Sequence, residues 1–550
     1  MTDAPVASSP STARRITSAV LAMWGSRVVA IACSLALMPI LFRRLPSAEL
    51  GVWLLLSQSG TLVLLLDFGL TSTLIRRFAF LRGEASAEAP GRAAQDHALA
   101  FGRLAATGRG LYRMIAVGVG GICWIGGLIF LSTLELDPEL LWRARCAWTI
   151  ICVGQMAALS SGLWTAAISG LGYVAPVSLI SIGFTSLTLL VQCALALAGG
   201  GLVSLAVASA LGGIALRIAA IRYLARKEPG LAAAAGRWDR AEAAGLMAPS
   251  LKYFLTEIGA LMLMRSDQYF IAGYLDPKTL PTYVAAYTLA SNAAVISIAI
   301  GDAASIYVSQ LWRTEARGSI RAIVMRSTRV GMGLMALGAA LLLFAGPAIM
   351  TVWLGEGHFV GAAVMTIFSA MLLIYTQQSL LFSFSRATEN EIYAPWYIVA
   401  GVLNIALSFV LTPTLGLPGV ALSTLLAQAA TTGWFIPRSA LRRLDIPARL
   451  YVRQVLVPIG ALLAAACGAV WLVTEGPLAP VQALGKLMAA VTVASALAAV
   501  AFWRLVLDDR LRAAALSRIG LTRKTALAGA DDVGSAYALL RVPADRVPEK

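Results

Sequence analysis

Fourteen apolar stretches, each long enough to cross a bilayer, fill the chain from Ile16 to about Leu507. The core of a bilayer offers no hydrogen bonds to a bare backbone, so a chain that crosses it this often folds as a bundle of helices. We therefore predict an all-α integral membrane protein with about 14 transmembrane helices. The predicted spans are residues 16–42, 50–73, 112–133, 145–169, 174–198, 201–224, 248–273, 282–309, 328–353, 361–385, 393–413, 419–437, 451–473 and 483–507.

The composition agrees with a membrane protein. Of the 550 residues, 59% are hydrophobic and only 13% are charged, whereas soluble domains average about 25% charged residues. The formal net charge of +16 would suit a nucleic-acid partner in a soluble protein. In a membrane protein it reflects Lys and Arg kept on the cytoplasmic side. We predict no nucleic-acid partner.

The basic residues also set the orientation. With the N-terminus in the cytoplasm, 35 of the 44 Lys and Arg residues fall in the two tails, in alternate loops on the same side or at the span ends next to them. Six fall in loops or at span ends on the opposite side, and Arg27, Arg217 and Arg265 lie deeper inside spans. Such an imbalance is the positive-inside pattern. It predicts that both termini are cytoplasmic. The long inside loops, residues 76–109 and 225–247, are Ala-rich and charged, and we expect them to form surface helices near the headgroups.

The chain repeats itself weakly. The hairpin Leu45–Trp53 matches Leu275–Tyr283 at a shift of 230 residues, with leucines and an aromatic residue in the same places. This predicts two pseudo-symmetric six-helix lobes followed by two extra C-terminal helices. The predicted parts are a cytoplasmic N-tail (1–15), an N-lobe (16–224), an inter-lobe linker (225–247), a C-lobe (248–437), the two extra helices (438–507) and a disordered cytoplasmic C-tail (508–550).

Motifs for cofactor or metal chemistry are absent from the sequence. The six cysteines show no CxxC spacing and only two histidines are present, so no metal site is predicted. The sequence has no GxxxxGK[ST], HExxH or GxSxG motif. We predict no cofactor and no enzymatic activity. A membrane glycan polymerase or glycosyltransferase is the less favoured alternative, because the longest outside loop, residues 132–144, is too short for a catalytic domain.

Residues 39–78 carry a family pattern. The sequence PILFRRLPSAELGVWLLLSQSGTLVLLLDFGLTSTLIRRF has a proline near the end of the first span, a short hairpin ending in Gly and an aromatic residue, and LxDFGL before a basic pair. It resembles the polysaccharide transporter branch (O-antigen flippase-like proteins) of the multidrug/oligosaccharidyl-lipid/polysaccharide flippase superfamily. Residues 265–283 look like the matching segment of the second lobe.

The resemblance implies a fold and a role. It implies two six-helix lobes around a central cavity, in the bacterial inner (cytoplasmic) membrane. By alternating access such a protein moves an undecaprenyl-diphosphate-linked oligosaccharide, such as an O-antigen, exopolysaccharide or capsule repeat unit, from the cytoplasmic to the periplasmic leaflet. The implied partners are this lipid-linked oligosaccharide, membrane lipids, and the polysaccharide polymerase and glycosyltransferases of the same pathway. A peptidoglycan-precursor flippase and a multidrug or cation antiporter of the same superfamily remain alternatives.

Charges inside the spans are the candidate site residues, because a charge in the bilayer core is costly and needs a partner or water. Each predicted lobe places an Arg on its first helix and an Asp on its second. The two readings are an Arg–Asp pair within each lobe and an Arg that faces the cavity and binds the diphosphate through its planar fork. The candidates for the substrate cavity are Arg27, Arg265, Asp67 and Asp302, and those for a coupling ion are Glu257 and Asp267.

Overall fold

The computed structural model describes residues 29, 32, 35–65, 67–87, 92–159, 162–232, 236–313, 317–388, 392–478 and 482–505. Within these residues all regular secondary structure is helical. The protein therefore has the predicted all-α fold of an integral membrane protein. The predicted N-tail (1–15), most of the first span and the C-tail (508–550) lie outside the described residues.

Eleven helical stretches of the described residues are long and apolar enough to cross a membrane. Each coincides with one predicted span, from the third to the sixth and from the eighth to the fourteenth. They are Ala98–Thr133, Pro138–Gly170, Pro176–Leu197, Leu202–Lys227, Pro277–Asp302, Arg317–Leu354, Ala362–Arg386, Ala394–Leu415, Leu417–Arg443, Ala448–Thr474 and Ala483–Val500.

The chain divides into two compact units, Met1–Val284 and Ala285–Lys550. This division does not test the predicted lobe boundaries, which stay a prediction. The first unit holds α1 (Ser47–Leu65), α2 (Leu70–Ala87), α3 (Arg92–Thr133), α4 (Pro138–Leu159), α5 (Gly162–Gly170), α6 (Val174–Leu197), α7 (Leu202–Lys227), α8 (Pro229–Ala232), α9 (Arg240–Arg265), α10 (Asp267–Tyr274) and the beginning of α11 (Leu280–Arg313).

The second unit begins within α11 and continues to α20. Five-residue π-helical segments, Leu341–Ala345 and Val452–Leu456, interrupt two of its spans. The remaining helices are α12 (Arg317–Ala340), α13 (Gly346–Leu354), α14 (Ala362–Arg386), α15 (Ala394–Leu415), α16 (Leu417–Ala430), α17 (Thr432–Arg443), α18 (Ala448–Tyr451), α19 (Val457–Thr474) and α20 (Ala483–Leu505).

The predicted span 50–73 is not one continuous helix. Helix α1 ends at Leu65, and α2 begins at Leu70. Between them Phe68 and Gly69 take positive φ values of 56° and 69°, which a right-handed helix does not allow. The prediction of one helix was wrong because apolar length alone does not detect this turn. In the predicted span 248–273 only the helical hydrogen-bond pattern is interrupted at Ser266, between α9 and α10, because the backbone angles of Ser266 stay helical.

Residues 76–109, predicted to form surface helices, are helical as parts of two longer helices. Helix α2 continues to Ala87, and α3 runs without a break from Arg92 to Thr133. At 42 residues, α3 is about 63 Å long, roughly twice the ~30 Å thickness of the hydrocarbon core. Its first part therefore extends beyond the membrane as a continuation of the span.

Glycines bring the helices of the first unit close together. In α3, a Cβ on Gly127 would lie 2.3 Å from the ring of Trp148 in α4. In α4, a Cβ on Gly154 would lie 2.6 Å from the Cα of Ala210 in α7. Close approach at small residues is the usual basis of helix packing in membranes. Aromatic and aliphatic side chains, with Phe78 among them, fill the core between α2, α3 and α5.

The second unit has two apolar clusters. The first packs residues of α11, α12, α14 and α17 with residues from the segment 444–459, which follows α17 and includes Tyr451. In the second, Ala466 and Val470 of α19 and Ala490 of α20 pack with Leu337 and Ala340 of α12. The two helices predicted beyond the second lobe are thus packed on helix α12 of this unit.

Candidate functional site

Two adjacent polar residues of α1 contact the helices on either side of Ser266. The Nη1 of Arg265 donates to the Oε1 of Gln58 at 3.0 Å. The hydroxyls of Ser59 and Tyr269 lie 2.7 Å apart and share a hydrogen bond. Arg265 and Tyr269 are four residues apart, and Ser266 between them keeps helical angles (φ −70°, ψ −24°), so both side chains lie on one face.

Within the described residues of the first unit, the guanidinium of Arg265 has a neutral partner. Arg265 is partly buried, and its partner Gln58 is a neutral amide. No carboxylate of the described residues of the first unit pairs with it. Within the described part of the chain, the buried Nε2 of Gln58 and the buried Oε1 of Gln268 have no hydrogen-bond partner. Unsatisfied buried polar atoms are rare in native structures, so these two atoms are candidates for contacts with a ligand.

Asp267 is a buried carboxylate with a phenol donor. Its side chain is 5% exposed, and its Oδ2 accepts from the hydroxyl of Tyr283 at 2.6 Å. The bond joins the first residue of α10 to the beginning of α11, across the turn at Pro277. The bond satisfies one acceptor atom of this buried side chain. The role of Asp267 as a coupling residue stays a prediction.

The two hairpins that match in the sequence are in contact with each other. A Cβ placed on Gly51 would lie 2.0 Å from the carbonyl oxygen of Pro277, so only glycine allows this approach. Leu50 and Trp53 of the first hairpin are buried, and so are their counterparts Leu280 and Tyr283 in the second. The matching leucines and aromatic residues thus help to bury the hairpins.

A cavity of about 310 Å³ lies between α1, α3, α4 and α10. Apart from one thiol and the bonded hydroxyls of Ser59 and Tyr269, its walls are apolar side chains and two glycines. The indole N–H of Trp148 is satisfied by the carbonyl of Trp124 at 3.0 Å. The lining residues are Leu55, Leu56, Ser59, Cys123, Gly126, Gly127, Phe130, Leu131, Trp148 and Tyr269.

Two predicted site residues of the first unit lie elsewhere. The carboxylate of Asp67 accepts from the backbone N–H of Gly69 at 2.7 Å and of Thr71 at 3.2 Å. It satisfies free N–H groups at the beginning of α2, as a capping residue does. Glu257 is partly buried on α9, and no side chain of the described residues bonds to its carboxylate.

Two further candidates complete the predicted set. The Oδ1 of Asp302, in the second unit, accepts from the hydroxyl of Ser383 at 3.0 Å. Arg27 lies outside the described residues. Since Arg265 and Asp302 belong to different units, the predicted pair between them stays a prediction. Among the described residues, no three His, Cys, Asp or Glu side chains are grouped to hold a metal ion.

The cavity was not predicted from the sequence. Its walls come from four helices, and most of its residues read as ordinary packing residues of a membrane helix. One signal was present: the run GVGGICWIGG, residues 118–127, places five glycines in ten residues of α3. Such a run weakens a helix unless close packing or an open space needs it. In this helix Gly127 packs closely against Trp148, and Gly126 lines the cavity.

Solved structures of membrane transporters share this fold. "Lipid II flippase MurJ, inward closed conformation" aligns with a TM-score of 0.63 and 13% identity, over 88% of this chain and 99% of that chain. An inward-facing multidrug resistance MATE family transporter of the MOP superfamily aligns with a TM-score of 0.63 and 10% identity, over 78% and 98%. A MOP superfamily transporter from Pyrococcus furiosus aligns with a TM-score of 0.54 and 12% identity, over 78% and 95%.

Neither a protein-family model nor a curated protein sequence matches the chain. At 10–13% identity the alignments with solved structures establish the fold. This chain is thus a multi-pass, all-α membrane protein with the fold of MOP-superfamily transporters.

Proposed function

We propose that the protein is a flippase for an anionic lipid-linked oligosaccharide, of the undecaprenyl-diphosphate-linked type, in the bacterial inner membrane. The observation that carries this proposal is the guanidinium of Arg265, which lies in the predicted seventh span and is held there by the neutral Gln58. In this proposal both termini are cytoplasmic. The partners are membrane lipids and the polymerase and glycosyltransferases that handle the same glycan.

The charge of Arg265 supports an anionic substrate. A charge inside the membrane is normally neutralised by a carboxylate or faces water. A hydrogen bond to an amide solvates the guanidinium without neutralising it, so a positive charge remains for a ligand. Arg suits a diphosphate because its planar fork binds phosphate oxygens in bidentate fashion. The unpaired Nε2 of Gln58 and Oε1 of Gln268 add a donor and an acceptor of the kind that sugar hydroxyls need.

The shared fold gives independent support. A lipid II flippase aligns over 88% of this chain, so the fold is compatible with moving a lipid-linked substrate. The same likeness supports a peptidoglycan precursor as the substrate about as well. The identity of the glycan is therefore tested by comparing the two substrates directly.

The test compares Arg265→Gln and Arg265→Lys in a leaflet-accessibility assay with radiolabelled polyprenyl-diphosphate-linked glycan. A hydrogen bond to a charged group contributes about 1.5–3 kcal/mol, so we expect Arg265→Gln to lower the rate by roughly 10-fold to 150-fold. Arg265→Lys keeps the charge but loses the planar fork, so its transport rate should lie between those of wild type and Arg265→Gln. Arg143→Gln is the matched control, because Arg143 is an exposed arginine paired with Glu139 on the surface of α4.

Wild-type transport by Arg265→Gln, in protein that is inserted normally, would refute the proposal. Presenting lipid II beside an O-antigen-type lipid then identifies the glycan class. Transport of lipid II alone would favour the peptidoglycan-precursor alternative.

A multidrug or cation antiporter is the second candidate. The cavity walls include the rings of Phe130, Trp148 and Tyr269, and aromatic faces attract organic cations. The likeness to MATE transporters supports this candidate too. Arg265 distinguishes the two, because its positive charge repels a cationic substrate. Export of a drug-like cation that is unchanged or faster in Arg265→Gln would favour the antiporter.

A further inference from the structure

The cavity between α1, α3, α4 and α10 suits an apolar occupant. Its hydroxyls, on Ser59 and Tyr269, bond to each other, and the indole N–H of Trp148 bonds to a carbonyl. Little hydrogen-bonding capacity is left for water or a sugar. A buried apolar cavity of about 150 Å³ already holds benzene, and this one is about twice that volume, near 310 Å³. The space fits a branched hydrocarbon segment.

The mouth of the cavity lies on the lipid-facing side of α3. Gly126 lines the cavity and is itself exposed. It lies between Ile122 and Ile129, which are 72% and 62% exposed on the same face of the helix. An exposed stripe of isoleucines on a membrane span faces lipid tails. A Cβ on Gly126 would meet no atom within 4 Å, so none of the described residues covers the cavity on this side of the helix.

The inner wall of the cavity lies close to the guanidinium of Arg265. Tyr269 is four residues from Arg265 along one helix face, a rise of about 6 Å. Ser59, beside Tyr269, is the neighbour of Gln58, which holds Arg265. A hydrocarbon segment in the cavity could therefore end in an anionic group within reach of the guanidinium.

We propose that this cavity binds the isoprenoid units next to the diphosphate of a polyprenyl lipid, which enters from the bilayer past Gly126. The inference rests on the proposed function, because it assigns the chain of the same substrate whose diphosphate binds Arg265. The glycine is then a lateral portal: it admits the lipid where a side chain as large as leucine would stand in the mouth.

The experiment uses the full chain in nanodiscs and a polyprenyl diphosphate with a diazirine on its first isoprene units. After illumination, we expect peptide mapping to find adducts within residues 123–131 and at Trp148. Gly126→Leu should lower their yield at least about tenfold, because displacing one leucine-sized apolar group changes an equilibrium constant by that much. Gly118→Leu is the matched control: Gly118 is exposed on the same helix, has no atom within 4 Å of a Cβ and does not line the cavity.

A second measurement keeps the proposal testable if Gly126→Leu fails to fold. Cys123 lines the cavity, so polyprenyl diphosphate should slow its reaction with N-ethylmaleimide, whereas Cys193 on α6 should react unchanged. Equal labelling in Gly126→Leu and wild type, or no protection of Cys123, would overturn the proposal. Equal labelling by a diazirine-bearing phosphatidylglycerol would also overturn it, since the cavity would then be a site for any bilayer lipid.

Failure of this inference is distinguishable from failure of the proposed function. If Gly126→Leu transports and labels like wild type while Arg265→Gln does not transport, the portal is refuted and the flippase proposal stands. If Arg265→Gln transports normally, the flippase proposal fails whatever the labelling shows.

Discussion

Replacing Gly51 with alanine should separate the two matched hairpins. The added Cβ would lie 2.0 Å from the carbonyl oxygen of Pro277, and real Cβ contacts essentially never fall below 3.0 Å. The hairpins must therefore move apart by at least about 1 Å. The clashing oxygen belongs to the backbone, so no side-chain rotation relieves the contact.

The expected magnitude follows from the cost of overpacking. Forcing extra atoms into a packed contact costs about 1–3 kcal/mol. That cost acts only on the state in which the hairpins touch, so it lowers the population of that state relative to an open one by a factor of about 5–150. If transport alternates between the two states, Gly51→Ala should also change the transport rate.

Spin labels at Ser47 and Lys278 would measure the separation by double electron–electron resonance, because both positions are exposed at the two hairpins. We expect a longer and broader distance distribution in Gly51→Ala than in the parent protein. Gly273→Ala is the control, since a Cβ on Gly273, just before the second hairpin, meets nothing within 4 Å. Superimposable distributions for Gly51→Ala and the parent would refute the reasoning.

Two further predictions concern carboxylates of the first unit. Asp67→Ala removes the cap of α2 and should lower the free energy of unfolding by about 0.5–2 kcal/mol, whereas Asp67→Ser should retain most of the stability. Equal thermal midpoints for wild type and Asp67→Ala in detergent would contradict the capping role. Asp267→Asn keeps the shape of the side chain but removes its charge, and Tyr283→Phe removes the bond between the two but keeps the charge. If Asp267 carries the coupling ion, Asp267→Asn should abolish the dependence of transport on an ion gradient and Tyr283→Phe should only weaken it; equal gradient dependence in Asp267→Asn and wild type would exclude that role.

Hydropathy predicts the membrane spans well because one physical requirement decides them: an apolar stretch of bilayer length. It does not detect where a span is interrupted, because that depends on a few backbone angles. The turn at Phe68 and Gly69 lies inside an apolar run, and its signals are local ones: a glycine beside an aspartate that can cap the following helix. The cap itself was not predicted, since sequence alone does not reveal that Asp67 bonds to the backbone of the following helix; its place in a cavity stays a prediction.

The candidate site was predictable only in part. Arg265 stands out in the sequence as a charge deep in a span, but its partner Gln58 is 207 residues away, and helix packing alone brings the two together. An Arg–Asp pair and an Arg–Gln contact look alike at the sequence level, yet the first is neutral and the second keeps a charge of +1. The cavity is harder still to predict, because it consists of space left between four helices.

The hairpin contact and the contact at Arg265 are built on the same elements. Gly51 and Gln58 lie on one helix, seven residues or about 10 Å apart, and Arg265 leads through α10 to Pro277. A helix moves nearly as a rigid body over this length, so separating Gly51 from Pro277 also strains the bond between Gln58 and Arg265. A diphosphate that takes Arg265 from Gln58 removes one of the bonds that hold the closed hairpins together. Binding of the anion should then favour opening by up to the free energy of that bond, about 1.5–3 kcal/mol. A single arginine would in this way both recognise the substrate and shift the equilibrium that moves it.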